Sequence, residues 1–218
     1  MKNVRRIIAG GAVFGAGWAA AFAATPGYVE DFVGAGNLGG FSGGSSAYEN
    51  PGTGGVGGVD DGFLLVRNDS PNNFGAADFA GNFSGNWIAN GVTGISFWLN
   101  DINNQDNPEI HFGLGIPFVN FWQYNPGFTP GHNEWTQFTI DLSNPDESQW
   151  TRIIGDGSLV DALSDVQRIL FRHDTAPFIQ FPDLFEGEVG IDRILLIPSP
   201  GAAALLLLGL GAGAGRRR

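Results

Sequence analysis

An all-β fold, an antiparallel sandwich of jelly-roll type, is what this sequence predicts, on three observations. Glycine and proline, 35 and 12 of the 218 residues, recur so often that one short apolar-periodic segment, Gly157 to Leu163, is the best place for a helix. Between these breaks lie nine runs of four to ten residues with strand-like side chains, bounded by turn residues. In the central runs apolar and polar residues alternate with the period of two that sends successive side chains to opposite faces of a strand. Nine short strands fit a sandwich or jelly roll.

Residues 1–24 come first and read as an address. Basic Lys2, Arg5 and Arg6 precede an apolar run from Ile7 to Ala20, then small residues at Ala21-Phe22-Ala23-Ala24. This is the layout of a secretory signal, with cleavage by signal peptidase near Ala23 or Ala24. An amphipathic first helix would need a polar face, and Ile7 to Ala24 holds no charge.

Residues 25–197 form the predicted domain. Its strands are Tyr28–Val33, Gly62–Arg67, Asn86–Ala89, Gly94–Asn100, Pro108–Leu114, Pro117–Tyr124, Trp135–Leu142, Gln167–His173 and Glu188–Ile197. Ile95, Phe97 and Leu99 fall opposite Ser96, Trp98 and Asn100; Ile110, Phe112 and Leu114 fall opposite Glu109 and His111. Trp98, Glu109 and His111 therefore face away from the core. In Trp135–Leu142 the inward set is Phe138, Ile140 and Leu142. For Pro117–Tyr124 two registers stand open: Val119 and Phe121 inward with Asn120, Trp122 and Tyr124 outward, or the reverse. The Gly-, Ser-, Asn- and Pro-rich stretches Gly34 to Gly58 and Asn125 to Asn133 are expected to be surface loops.

The chain ends in Pro198-Ser199-Pro200, fifteen residues of only Gly, Ala and Leu from Gly201 to Gly215, and Arg216, Arg217 and Arg218. As a helix the apolar stretch would span about 22 Å, short of a ~30 Å hydrocarbon core, which suits a transient sorting signal better than a permanent anchor. The arginines predict that this end stays cytoplasmic while the domain lies outside. Proline motif, apolar stretch and arginine cluster, residues 198–218, resemble the PEP-CTERM sorting tails of exported bacterial proteins, with serine where that motif has glutamate. The resemblance implies transient inner-membrane association, tail removal by an exosortase-like enzyme, and residence at the cell envelope or cell surface or in the medium, often with extracellular polysaccharide.

Charge and cysteine narrow the function further. All 22 acidic residues lie between Glu30 and Asp192, and with five basic residues the segment 25–197 carries a balance of −17. Such a field repels nucleic-acid phosphates and favours cations, so nucleic acid is not an expected partner. The lack of cysteine removes disulfides, thiolate metal sites and cysteine nucleophiles, leaving stability to core burial. With its one lysine in the leader, the domain has no residue for a P-loop or Schiff base.

Tyr28-Val29-Glu30-Asp31-Phe32 opens the domain, Trp135 to Leu142 comes late, and Gly190-Ile191-Asp192-Arg193-Ile194 closes it, an order that resembles jelly-roll carbohydrate-binding modules. The resemblance implies neighbouring first and last strands whose acids hold a structural calcium ion, and it maps that role onto Glu30 and Asp192, with Asp31 beside them. Two carboxylates, backbone carbonyls and water would supply the six to eight oxygens calcium takes. Solvated strand-end charge is the alternative.

Other motifs carry less. Asp101 to Glu109 begins like an EF-hand loop but has Asp106 where glycine is needed and Phe112 where the glutamate belongs, so a polar turn fits better. Gly34-Ala35-Gly36-Asn37-Leu38-Gly39 and Gly40-Phe41-Ser42-Gly43-Gly44 match dinucleotide and nucleophile-elbow patterns without the helix that each requires. His111, His132 and His173 lack zinc spacing. The sharpest binding expectation is an outward face of Trp98, His111, Trp122, Tyr124 and Arg172, flat rings for sugar faces with polar groups for hydroxyls; Trp87, Trp135 and Trp150 are assigned to packing. A non-catalytic module that binds glycan or serves as an envelope or matrix component is the resulting expectation. The alternatives are a secreted polysaccharide hydrolase or lyase using paired carboxylates, and a purely structural surface protein.

Overall fold

Leu64 and Val66, Ile95, Phe97 and Leu99, and Phe112 and Leu114 are each 0 % exposed, and these alternating positions are what close one sheet onto another. The computed structural model describes residues 24–201; the rest of the leader and of the tail, including Arg216, Arg217 and Arg218, lies outside the described residues. The strands are β1 (Val29–Glu30), β2 (Phe41–Ser42), β3 (Ala47–Glu49), β4 (Leu64–Asn73), β5 (Gly75–Asp78), β6 (Val92–Asp101), β7 (Ile110–Ile116), β8 (Asn120–Tyr124), β9 (Thr136–Asp141), β10 (Trp150–Gly155), β11 (Arg168–His173) and β12 (Leu184–Pro198). Two short helices, α1 (Trp87–Asn90) and α2 (Leu159–Ser164), complete the fold with a 3-10 turn at Glu147–Gln149.

The first sheet has the order β3-β4-β12-β6-β9, with β1 also on β12; the second has the order β10-β8-β7-β11-β5-β2. Every pairing between these strands is antiparallel. The predicted all-β antiparallel sandwich is the fold observed. Its two layers meet through aromatic rings: Phe97 of β6 packs edge-on to Phe171 of β11 at 4.9 Å and stacks on Phe112 of β7 at 6.1 Å. Each such ring taken from water contributes about 1.5–3 kcal/mol.

Local chemistry explains where strands stop. The expected strand Asn86–Ala89 is instead the helix α1, because Asn86 caps it by accepting from the Ala89 N–H at 2.8 Å and Gly91 ends it in the left-handed region at φ 75°. Trp87 is buried there, its Nε1 donating to the Phe83 carbonyl at 2.8 Å. The expected helix at Gly157 to Leu163 forms as α2, opened by a reciprocal Ser158–Asp161 capping box. The stretch Gly34 to Gly58 is not all loop, since β2 and β3 cross it, and β5 and β10 form where no strand was predicted.

Two irregularities matter for function. In β12, Asp192 opposes Trp98 while Leu195 opposes Ser96, so Arg193 and Ile194 share one partner position; this bulge puts Arg193 at φ 45°. Between β7 and β8 a tight turn, with Phe118 at φ 64°, sets Trp122 opposite Leu114 and Phe121 opposite Gly115. Directly paired residues share a face, and Leu114 is core, so Trp122 and Tyr124 point inward and Phe121 outward. The second of the two registers left open by the sequence is the real one.

Candidate functional site

The outer face of the second sheet is built from small residues flanked by large ones. Directly opposed residues run across it in rows: Gly75, Arg172, His111; then Ala77, Leu170, Gly113, Gln123, Thr151; then Arg168, Gly115, Phe121, Ile154. Small Gly75, Ala77, Gly113 and Gly115 let neighbouring side chains lie down over the sheet. A Cβ on Gly113 would come within 2.9 Å of the Phe121 ring. The result is a groove of about 150 Å³ lined by Ala77, Phe118, Phe121, Ile154, Arg168 and Leu170 among others, with no carboxylate in its lining. A second hollow of about 170 Å³ shares Leu170, Arg172 and Gln180 and reaches Gly75. Phe118 at the lip is 80 % exposed, and Phe79 and Phe181 nearby in the flanking loops are 54 % and 70 % exposed. Large exposed rings concentrated around a depression mark a contact surface.

One end of this face is closed by the segment that follows β11. Phe178 covers the His111 ring at 4.7 Å between centroids. Arg172 holds the segment down, its Nη1 donating to the Gln180 carbonyl at 3.1 Å and its Nη2 to the Ile179 carbonyl at 2.6 Å. The same guanidinium forms a buried ion pair with Asp174, whose Oδ2 also accepts from Gln123 Nε2 at 3.2 Å. His111 Nδ1 donates to the Tyr124 carbonyl at 2.9 Å, and its Nε2 lies 3.2 Å from Glu109 Oε1. These polar groups clamp a loop onto the sheet rather than facing water.

A second constellation sits on the outer face of the first sheet. Asp31 follows β1, Asp192 stands at the β12 bulge, and Asp61 comes from the glycine-rich loop before β4; one carboxylate oxygen from each lies within 4.8 Å of the others. Asp192 is fully buried. Its Oδ2 accepts from Val56 N–H at 2.8 Å and its Oδ1 from Arg193 N–H at 2.7 Å. Burial pushes its carboxyl up to about 6, and repulsion from Asp61 and Asp31 adds to this against the two N–H donors. The Arg193 Nε on Asp31 Oδ1 at 3.1 Å offsets part of the negative charge. Three clustered carboxylates form a hard-oxygen donor set of the kind that suits calcium or magnesium.

With this geometry in view, solved structures share the fold. A family 11 carbohydrate-binding module from Clostridium thermocellum, in complex with a β-1,3-1,4-mixed-linked tetrasaccharide, superposes with TM-score 0.50 at 18 % identity over 78 % of this chain and 94 % of that one. CtCBM11, solved in solution, gives TM-score 0.51 at 19 % identity over 80 % and 96 %. An exo-β-agarase gives 0.52 at 13 % identity, covering 74 % of this chain but 23 % of that one. No protein-family model and no curated protein matches the sequence. The likeness is one of fold, a β-sandwich.

The five residues expected to share an outward face do not. Trp98 points outward as predicted but from the first sheet, between Asp192 and Gln137. His111 faces away from the core yet is 0 % exposed beneath the Phe178 segment, and Arg172 is 3 % exposed in its ion pair. Trp122 is a core residue, possible because its Nε1 donates to Asn120 Oδ1 at 2.9 Å, and Tyr124 packs against the same core. Of the residues assigned to calcium, Asp31 and Asp192 come together, but Glu30 stands outside the cluster. Its carboxylate accepts from Tyr28 Oη at 2.8 Å and from Phe32 N–H at 3.1 Å. Asp61 was missed, and so were Phe118, Phe121, Arg168 and Leu170. Only the exposed aromatic at a turn, Phe118 after Pro117, left a sequence signal. Pro198 closes β12 opposite Val92, and the Ser199 N–H donates to the Gly91 carbonyl at 2.8 Å, so the proposed sorting motif begins inside the fold. Pro200 follows as an exposed residue.

Proposed function

We propose that this chain is an exported, surface-sorted and non-catalytic glycan-binding module whose binding surface is the groove on the outer face of the second sheet. The observation that carries the reading is the groove lined by Ala77, Phe118, Phe121, Ile154 and Leu170, with the 80 % exposed Phe118 ring at its lip. Such a groove can take the C–H face of a pyranose ring against the exposed Phe118 ring, while Gln180 at the margin meets hydroxyls. The fold shared with a module whose structure holds a tetrasaccharide supports this reading. A groove without carboxylates favours binding over glycoside hydrolysis, which draws on two of them.

A structural calcium ion is part of the proposal, held by Asp31, Asp61 and Asp192. It would fasten the loop containing Val56 and Asp61 to the bulge of β12. The leader and tail carry the chain through signal peptidase and an exosortase-like enzyme to the cell surface, with extracellular polysaccharide as partner.

A glycan array with the purified chain tests the binding reading. Hits on β-linked polysaccharides that fade in Phe118→Ala, a change at an exposed ring that spares the core, are expected. A blank array, or hits that persist in both Phe118→Ala and Phe121→Ala, sinks it, while release of reducing ends from a bound polysaccharide would replace binding with hydrolysis. Cell fractionation with mass spectrometry of both termini tests export and tail removal; an unclipped cytosolic chain counts against both.

A further inference from the structure

We infer that the groove selects an anionic saccharide residue, a uronate or a sulfate ester, through Arg168; this rests on the groove being the glycan site. In a domain with 22 acids and five basic residues, every arginine has acceptors in abundance. Four use them. Arg67 pairs with Glu49, Asp69 and Glu188, Arg172 with Asp174, and Arg193 with Asp31, while Arg152 donates to the carbonyls of Asp156 and Gly157.

Arg168 alone among the described residues has neither. Its guanidinium lies 4.1 Å above the centre of the Phe79 ring, and its buried Nε has no hydrogen-bond partner. The carboxylate nearest in sequence, Asp165, is taken by Gln167 Nε2 at 3.0 Å. A guanidinium carries five N–H donors in a planar fork, and a ring on one face restrains that fork while leaving its edge free. Here the edge borders an apolar groove whose lining contains no acid.

An unpaired cation beside apolar walls is costly to keep unless something negative joins it. A hexuronate offers both halves of the match, a ring face for Phe118 and Leu170 and a carboxylate that takes two parallel N–H bonds from the fork. A sulfate ester presents the same kind of oxygens. The surrounding acids repel a polyanion at long range, so the charged contact is local and adds selectivity more than capture rate.

The experiment uses the purified full-length chain, with affinities for an oligogalacturonate, the same oligomer with its carboxyls methyl-esterified, and a sulfated galactan oligomer. Wild type is expected to prefer an anionic oligomer over the ester by about tenfold or more. Arg168→Gln should bring that ratio close to one, Arg168→Lys should keep part of it, and Arg67→Gln, a charge change elsewhere, should leave it intact. Preference for the uronate or for the sulfate supports the inference and identifies the anion. Equal binding of acid and ester, or a ratio that survives Arg168→Gln in a folded variant, overturns it while the glycan reading stands. Binding of none of the three in a folded chain, together with a blank array, overturns both.

Discussion

The Val56 N–H donates to Asp192 Oδ2 at 2.8 Å, tying a glycine-rich loop to a strand 136 residues further along the chain. The bond holds a carboxylate in place where both burial and its acidic neighbours oppose its charge. Without a cation, the folded chain keeps a proton on Asp192 up to about pH 6, whereas the unfolded chain releases it near the ordinary value of 3.8. Stability of the metal-free protein should therefore fall as pH rises through that window, by about 3 kcal/mol for this group alone. Calcium should reverse the loss near neutral pH, and Asp192→Asn should raise metal-free stability there while abolishing the calcium response. Calorimetry with chelator or calcium reads all three, and a melting temperature indifferent to calcium removes the ion from the proposal.

Trp122 and Trp98 should separate cleanly by stability. Trp122→Ala empties a core position and frees Asn120 Oδ1, a loss of about 3–5 kcal/mol in urea unfolding. Trp98→Ala, on the half-buried outer side of β6, should cost distinctly less. Equal losses would contradict the register of β7 against β8.

Arg172 and Asp174 are 3 % and 2 % exposed, so removing one leaves the other stranded. Asp174→Ala should cost about 3–5 kcal/mol and make the segment around Ile179 more sensitive to protease. An Arg172→Met, Asp174→Leu double variant should recover much of the stability, since neither buried charge remains. A single variant that unfolds like wild type would show that the pair does not clamp the loop.

Ala24 is 1 % exposed, and its carbonyl accepts from Asn90 Nδ2 at 3.0 Å. If export follows the proposed route, cleavage between Ala23 and Ala24 preserves this contact, and the intact mass of the secreted form should begin at Ala24. A mature chain starting at Thr25 that melts at the same temperature as one keeping Ala24 would deny that residue a structural role.

Sequence alone revealed the strands in which apolar and polar side chains alternate. β6, β7 and β9 read correctly because Ile95, Phe97, Leu99 and their counterparts alternate without interruption. β5, Gly75-Ala76-Ala77-Asp78, was invisible because its outward residues are small for the groove's sake. β8 was ambiguous because the preceding turn, not its own pattern, fixes which side Trp122 takes. The acidic cluster was half legible: Asp31 and Asp192 follow from adjacent strands, whereas Asp61 arrives through a loop whose return to β12 no local pattern announces. Arg168 could not be singled out, since its lack of a partner is a property of three-dimensional surroundings.

Asn90 and Gly91 stand side by side, one receiving the start of the described chain at Ala24 and the other its end at Ser199, while Gly27 bonds back to Leu196. A polypeptide that enters and leaves through the same doorway need not thread its interior to be trimmed at either extremity. It can equally be spliced as a cassette into the turn of some larger host, its sheets undisturbed.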